Sequence, residues 1–225
     1  MRADFHIHTR VSPDSSLSPE ALIRACEREG IDAIAVTDHH TIEGALAVRE
    51  IAPFPVIIGA ELRAAEGEII GLFLESDIPR GLSARETVKR IKDQGGIVQI
   101  PHPFDRFRRK HITLSALHDI LPDVDIIEAF NARTTLKRDI MRGVDFIREF
   151  GEEHGILHVG VTDAHTAREI GNAYTDLPSF EGREDFLDVL RHASIHGRRT
   201  TPLIHVATRW TALTKKLRRR RQPHA

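Results

Sequence analysis

Fourteen histidines stand in this chain, and the informative ones come in short constellations with acids. Asp4, His6 and His8 are spaced by two near the N-terminus. In an extended strand alternate side chains share a face, so these three are expected together, with Phe5 and Ile7 opposite. Two imidazoles ~7 Å apart along a strand can converge on one metal ion. Four more apolar runs end in similar groups: Asp38-His39-His40, Gly59-Ala60-Glu61, His102 between Pro101 and Pro103, and Asp163-Ala164-His165. A further run ends near Glu128 and Asn131. A carboxylate at the end of an apolar strand is costly to bury unless it is paired or bound to a cation. Imidazole and carboxylate donors without thiolate suit Zn, Mn or Fe, and a histidine-rich set argues against Ca or Mg alone. Singly each group has a plain alternative, such as a polar outer face or a helix cap. Together they point to a metal centre.

The elements that must position these groups alternate along the chain. Strands are expected at Ala3–His8, Asp32–Thr37, Val56–Ile58, Glu68–Leu74, Ile97–Ile100, Val124–Glu128 and Ile156–Val161. Helices are expected at Ser18–Glu29, Thr41–Ile51, Ser83–Gln94, Thr113–Leu121, Leu136–His154 and Arg183–His196. The stop and start signals are residues such as Ser18-Pro19 and Gly30, or Ser83 and Gly95-Gly96. Strands alternating with helices imply parallel β/α units, in an open sheet or a barrel. In such folds the C-terminal strand ends are where ligands bind, and there the ionisable groups cluster. No GxGxxG follows the first strand, so a dinucleotide site has no support.

Composition bounds the remaining possibilities. The chain has 225 residues, with 33 acids against 32 lysines and arginines for a net charge of −1, which excludes a polycation built wholly for nucleic acid. The single cysteine, Cys26, excludes a disulfide framework. The longest apolar stretch, Ile69 to Leu74, falls far short of the roughly 18 residues of a membrane span. The N-terminus lacks the apolar core of a signal peptide, so a cytoplasmic protein is expected. The end of the chain is basic, with Lys215, Lys216 and Arg218 to Arg221. It reads either as a solvated tail or as a basic amphipathic helix able to touch nucleic acid or an anionic surface.

The ordered segments DFHIHT, TDHHT, GAE, PHP and DAH resemble the PHP (polymerase and histidinol phosphatase) family, over roughly Met1 to Pro178. The segments EAFNAR and DAHTAREIGNAYT resemble its stand-alone branch, which carries a short C-terminal PHP-associated segment. The resemblance implies a distorted (β/α)7 barrel of the PHP type. It divides the chain into one domain over 1–205, with a core barrel at about 1–178 and a PHP-associated segment at 179–205, and a basic tail at 206–225. It implies two or three divalent ions (Mn, Zn or Fe). His6, His8, Glu61 and Asp163 would hold one, Glu61 and His102 a second, and Asp14, His39 and His165 a third. Many members place a histidine in the strand after GxE, and here that place is expected at Ile69, leaving the second ion less well held. Asn131 stands where some members put a further ligand.

The resemblance implies hydrolysis of a phosphate ester by hydroxide generated on the ions, which also clamp the phosphoryl oxygens. His39 or His165 could protonate the leaving oxygen. Arg106, Arg108, Arg109 and Arg133 lie beyond strand ends, and Arg109 and Arg133 are the chosen phosphate partners. Asp38 is expected to orient a ligand histidine. The expected substrate is a small phosphorylated molecule, such as a nucleotide-type monoester. The alternatives are a structural PHP module with little catalysis and a nuclease acting on oligonucleotide ends. An amidohydrolase also opens with HxH, but its bridging lysine has no counterpart here, since Lys89, Lys92 and Lys110 fall in a helix or a loop. The sequence sets no oligomeric state.

Overall fold

A computed structural model describes residues 1–108, 110–201 and 203–221. The chain runs β1 (Arg2–Ile7), α1 (Pro19–Glu29), β2 (Ala33–Val36), α2 (Glu43–Ile51), β3 (Val56–Ala64), β4 (Gly67–Leu72), α3 (Ala84–Asp93), β5 (Ile97–Ile100), α4 (Leu114–Ile120), β6 (Ile126–Asn131), α5 (Lys137–His154) and β7 (Leu157–Val161). It continues through β8 (Ala173–Asp176), α6 (Arg183–Leu190), β9 (Ser194–Gly197) and α7 (Leu203–Arg221). Local chemistry explains the helix ends. Ser18 Oγ accepts from the Ala21 amide with Pro19 in the first turn, and Gly30 closes α1 at φ 66°. Ser83 Oγ accepts from the Glu86 amide at the start of α3, and Thr113 Oγ1 from the Ala116 amide at the start of α4.

The strands form one sheet in the order β7-β6-β5-β4-β3-β2-β1-β8-β9. The sheet curls until β7 returns to β1. Ile7 bridges Ala164 in parallel, and the His8 amide donates to Ala164 O at 2.9 Å. Thr162 N also donates to Asp4 Oδ1 at 3.1 Å across the same seam. The result is a nearly closed, distorted α/β barrel, as expected. Its distortion is β4, which pairs antiparallel with both β3 and β5 and joins β3 by a tight turn.

Two apolar layers follow from strand alternation. One side chain set, including Ile34, Val36, Ala60, Leu62, Ile69 and Val98, packs outward against the helices. The other, including Phe5, Ala35, Ile57, Ile70, Leu72 and Val159, fills the barrel. Phe186 of α6 plugs that interior, its ring 5.2 Å from that of Phe5 and edge-on to it.

Three sequence expectations are corrected. Helix α6 stops at Leu190 rather than His196, because residues 194–197 form β9 against β8, with His196 stacked on Tyr174. β8 itself was not expected. The third correction concerns β1. Asp4 pairs with Ile34 and Ile7 with Val36, so three steps on β1 oppose two on β2. This bulge turns His6 and His8 inward and leaves Asp4 on the helix side, near Cys26, whose thiol is pushed up by burial first and by Asp4 second. Asp4 therefore does not share the histidines' face.

The basic C-terminal run lies in α7, although the side chains of Arg218 to Arg221 lie outside the described residues. Among the described residues no helix is long and apolar enough to cross a membrane.

Candidate metal centre

The polar groups gather at one mouth of the barrel, above the apolar interior. His6 and His8 come from the end of β1, Glu61 from within β3, His102 from the turn after β5, and Asp163 and His165 from beyond β7. The chain strains to present them. His102 and Asp163 have φ of 29° and 56°, a region few non-glycine residues occupy.

Histidine tautomers can be read from the partners. The His6 Nδ1–H donates to Glu128 Oε1 at 2.7 Å. The single Ser12 hydroxyl proton goes to Asp38 Oδ1, 2.5 Å away, so Ser12 Oγ accepts from His8 Nδ1 at 3.2 Å. The His165 Nδ1–H donates to the carbonyl of Asp163 at 2.9 Å. In each ring Nε2 is left with a lone pair. The His6 and His8 Nε2 atoms then face each other at 3.0 Å. Asp163 Oδ1 lies 3.6 and 3.5 Å from them, and Glu61 oxygens 3.8 and 3.4 Å. Such separations are the edges of a coordination shell with bonds of ~2.1 Å. Facing lone pairs and carboxylates need a cation or a proton between them.

Glu61 links this group to two others. Its Oε1 lies 3.2 Å from His102 Nε2 and its Oε2 3.1 Å from His39 Nδ1. Glu68 Oε2 approaches His102 Nε2 at 4.0 Å, and Glu68 also comes together with Glu61 and His39 closely enough to hold an ion, so Glu61 and Glu68 flank a second position. Asp14 places its oxygens 3.6 Å from His39 Nε2 and 3.4 Å from His165 Nε2, a third position. The buried oxygens Asp14 Oδ1 and Asp163 Oδ1 accept no hydrogen bond among the described residues. The donor set therefore fits divalent ions at all three positions.

Charge balance supports the same fit. Burial opposes ionisation of Glu61, yet His39 and His6 hold its carboxyl well below the usual range. Burial also opposes ionisation of Asp163, and Arg108 and His6 override it. Burial keeps His8 neutral and, helped by Arg133 and His8, pushes His165 down to about 3. His6 and His39 go the other way. Burial is outweighed by Asp163, Glu128 and Glu61 at His6, and by Glu61 and Asp14 at His39, which rises to about 10. The surrounding carboxylates thus favour a positive charge at both rings, the charge an ion would supply.

The expected residues His6, His8, Asp14, His39, Glu61, His102, Asp163 and His165 all meet at this mouth. Among the described residues Asp38 bonds no imidazole: it accepts from Thr9 and Ser12 and reaches His8 through Ser12. Arg133 is buried at the mouth, donating to Asp163 O at 3.3 Å and Thr208 Oγ1 at 2.7 Å. Arg109 lies outside the described residues. Arg106 pairs with Asp139, away from the cluster.

The sequence reading missed Glu68, and it named Glu128 and Arg108 near strand ends without giving either a role in the site. The expectation at Ile69 was one residue off. Ile69 is wholly buried in the outer core, whereas Glu68 shares the inward face of Ile70 and Leu72. Because β4 runs antiparallel, its first residues lie at the mouth, so a search of C-terminal strand ends passes over Glu68. Alternation along Glu68, Ile70 and Leu72 was the available signal. Arg108 pairs directly with Asp163 and lies 3.5 Å from Asp105. A cavity of about 320 Å³ opens over the centre, lined by Asp14, His39, Glu61, Glu68, Phe107, Arg108, Lys110, Arg133, His165 and Thr208.

Comparison with known proteins places these features. The family model described as PHP domain matches residues 4–147, and the one described as PHP-associated matches residues 144–195. An uncharacterized protein of Methanocaldococcus jannaschii is 40% identical over 147 residues, covering 59% of this chain and 82% of its own. Another from the same organism is 30% identical over 202 residues, covering 85% and 79%. PsfC from Pseudomonas syringae is similar in structure, with a TM-score of 0.64 at 17% identity, over 95% of this chain and 98% of that one. An amidohydrolase from Chromobacterium violaceum, with bound sulfate and no metal, gives 0.63 at 15% identity, over 86% and 98%. A Bifidobacterium adolescentis protein provisionally named a metal-dependent phosphoesterase gives 0.61 at 16% identity, over 73% and 88%.

Proposed function

The chain belongs to the PHP domain family, and from that membership and its donor cluster we propose that it is a metal-dependent hydrolase of phosphate esters. The observation that carries the reading is one cavity where histidine and carboxylate donors converge on Glu61 and cationic side chains line the wall. Two or three divalent ions, Mn, Zn or Fe by donor type, would be held by His6, His8, Glu61 and Asp163, by Glu61, Glu68 and His102, and by Asp14, His39 and His165. When bound, such ions activate water and offset charge on phosphoryl oxygens.

The protein's own groups do the rest. Glu128 and the Asp38–Ser12 pair hold the His6 and His8 rings so that Nε2 faces inward. Arg108, Lys110 and Arg133 line the cavity wall and offer positive charge to a substrate phosphoryl group. Of the two histidines considered as proton donors, His165 is neutral at pH 7, whereas His39 holds its proton. With the third position empty, His39 is therefore the candidate to protonate a leaving oxygen; with an ion bound there, its ring is a neutral ligand instead. The cavity suits a small ester, in the size range of small-molecule sites. Phe107, 61% exposed at the rim, offers a flat face to a nucleobase.

The test is turnover on a panel of phosphate esters with Mn or Zn, with and without chelator. The panel holds p-nitrophenyl phosphate, its bis-ester, nucleoside mono- and bisphosphates, histidinol phosphate and short oligonucleotides. Metal-dependent phosphate release is expected, fastest on a small nucleotide-type monoester. Bound metal with no turnover on any member would overturn the reading in favour of a structural module.

A further inference from the structure

Helix α7 reaches across the mouth and touches the centre's surroundings at two places. Near its start, Thr208 lines the cavity and accepts from Arg133. Two turns later the Lys215 ammonium lies among three backbone carbonyls of one loop: Arg10 O at 2.7 Å, Ser12 O at 2.8 Å and Ser15 O at 2.5 Å. Three carbonyl dipoles pointing at one spot repel one another unless a cation stands there. An ammonium, with three donors, satisfies all of them.

The loop so held carries Asp14. Its inner side is pinned to the ligand-bearing segments. Ser15 Oγ is shared by the carbonyls of His8 and His165, and Ser12 Oγ bonds Asp38 and the His39 amide. Those contacts fix residues 12 and 15, whereas among the described residues the Asp14 carboxylate pairs with His39 and His165. The outer side is held by Lys215, whose three carbonyls bracket Asp14 along the chain. We infer that Lys215 is a positioning residue that clamps this loop from α7 and so presents Asp14 to His39 and His165.

The inference rests on the metal-centre reading for its consequence, but not for the clamp itself. Two measurements on the full chain separate them. In the first, amide hydrogen exchange of residues 10–17 is followed in chelator-stripped protein. In the second, Mn2+ is titrated with elemental analysis of the bound ion. Lys215→Met is expected to speed exchange at residues 10–17. It is also expected to weaken one Mn2+ equivalent on the order of tenfold, leaving the others unchanged. Lys215→Arg should restore part of both, and Lys216→Met, at an exposed neighbour, should match the wild type. Wild-type exchange at residues 10–17 in Lys215→Met overturns the clamp. Faster exchange with Mn2+ affinity unchanged overturns its link to Asp14. Faster exchange in a protein that binds no Mn2+ in any variant supports the clamp and sinks the metal-centre reading instead.

Discussion

Glu128 Oε1 lies 2.7 Å from His6 Nδ1, both side chains fully buried, and this contact aims the opposite nitrogen of the ring at Asp163 and Glu61. Gln99 and the His102 amide also donate to Glu128, so the carboxylate is fixed in turn. Glu128→Gln keeps the shape but can turn an N–H toward the ring and release its tautomer. We expect metal affinity at the first position to fall 10–100-fold, with little change in the thermal midpoint. A metal titration beside a melting curve checks this. Affinity equal to wild type would show that β1 alone holds the ring.

His8→Ala and Asp163→Ala each remove a donor from the first ion position. Each should abolish metal-dependent turnover and reduce bound metal, while the far-UV circular dichroism stays native, since neither side chain belongs to an apolar core. Full turnover in both variants would contradict the site assignment.

Glu68 and Ile69 separate two readings of β4. Glu68→His supplies an imidazole on the inward face and should retain the second ion, whereas Glu68→Ala should lower metal stoichiometry. Ile69→Ala should cost about 2–5 kcal/mol of stability and leave bound metal unchanged, because its side chain is buried outside the barrel. Elemental analysis and denaturant unfolding of the three variants decide between the positions.

Metal binding should release protons. Imidazole must be neutral to ligate, yet His39 is raised from its ordinary 6.5 to about 10 and His6 is raised as well. At pH 7 an ion therefore competes with protons on these rings. Apparent affinity should rise with pH between about 6.5 and 10. Calorimetric titration in buffers of different ionisation enthalpy measures the protons released. No buffer dependence at pH 7 would mean that these rings are already neutral.

The same groups shape stability without metal. A histidine whose folded pKa is raised stabilises the fold below its ordinary pKa, and that contribution is lost as pH rises through the folded value. For His39 the window runs from 6.5 to about 10. Chelator-stripped protein should lose part of this contribution across that window, and His39→Gln should flatten the pH profile of the melting temperature. A profile as steep as wild type in His39→Gln would assign the effect elsewhere.

The sequence by itself determined the donor types and most of their order along the chain. Runs of Val, Ile and Ala ending in His, Asp or Glu mark strands whose ends must be paired or bound, because burying a bare charge is costly. Helix limits were equally legible where a capping side chain or a left-handed glycine acts locally, as at Ser18 and Gly30. What the sequence could not decide was set by partners distant along the chain. The β1 bulge depends on register against β2, and it sends Asp4 outward while His6 and His8 turn in. The direction of β4 depends on its pairing with β3 and β5, and it brings Glu68 to the mouth. The short strand β9 exists only because β8 offers it an edge. The grip of Lys215 on residues 10–15 spans some two hundred residues. Local propensity fixes which element forms, but one step of register or a reversal of direction moves a side chain to the other face, and only tertiary packing chooses between them.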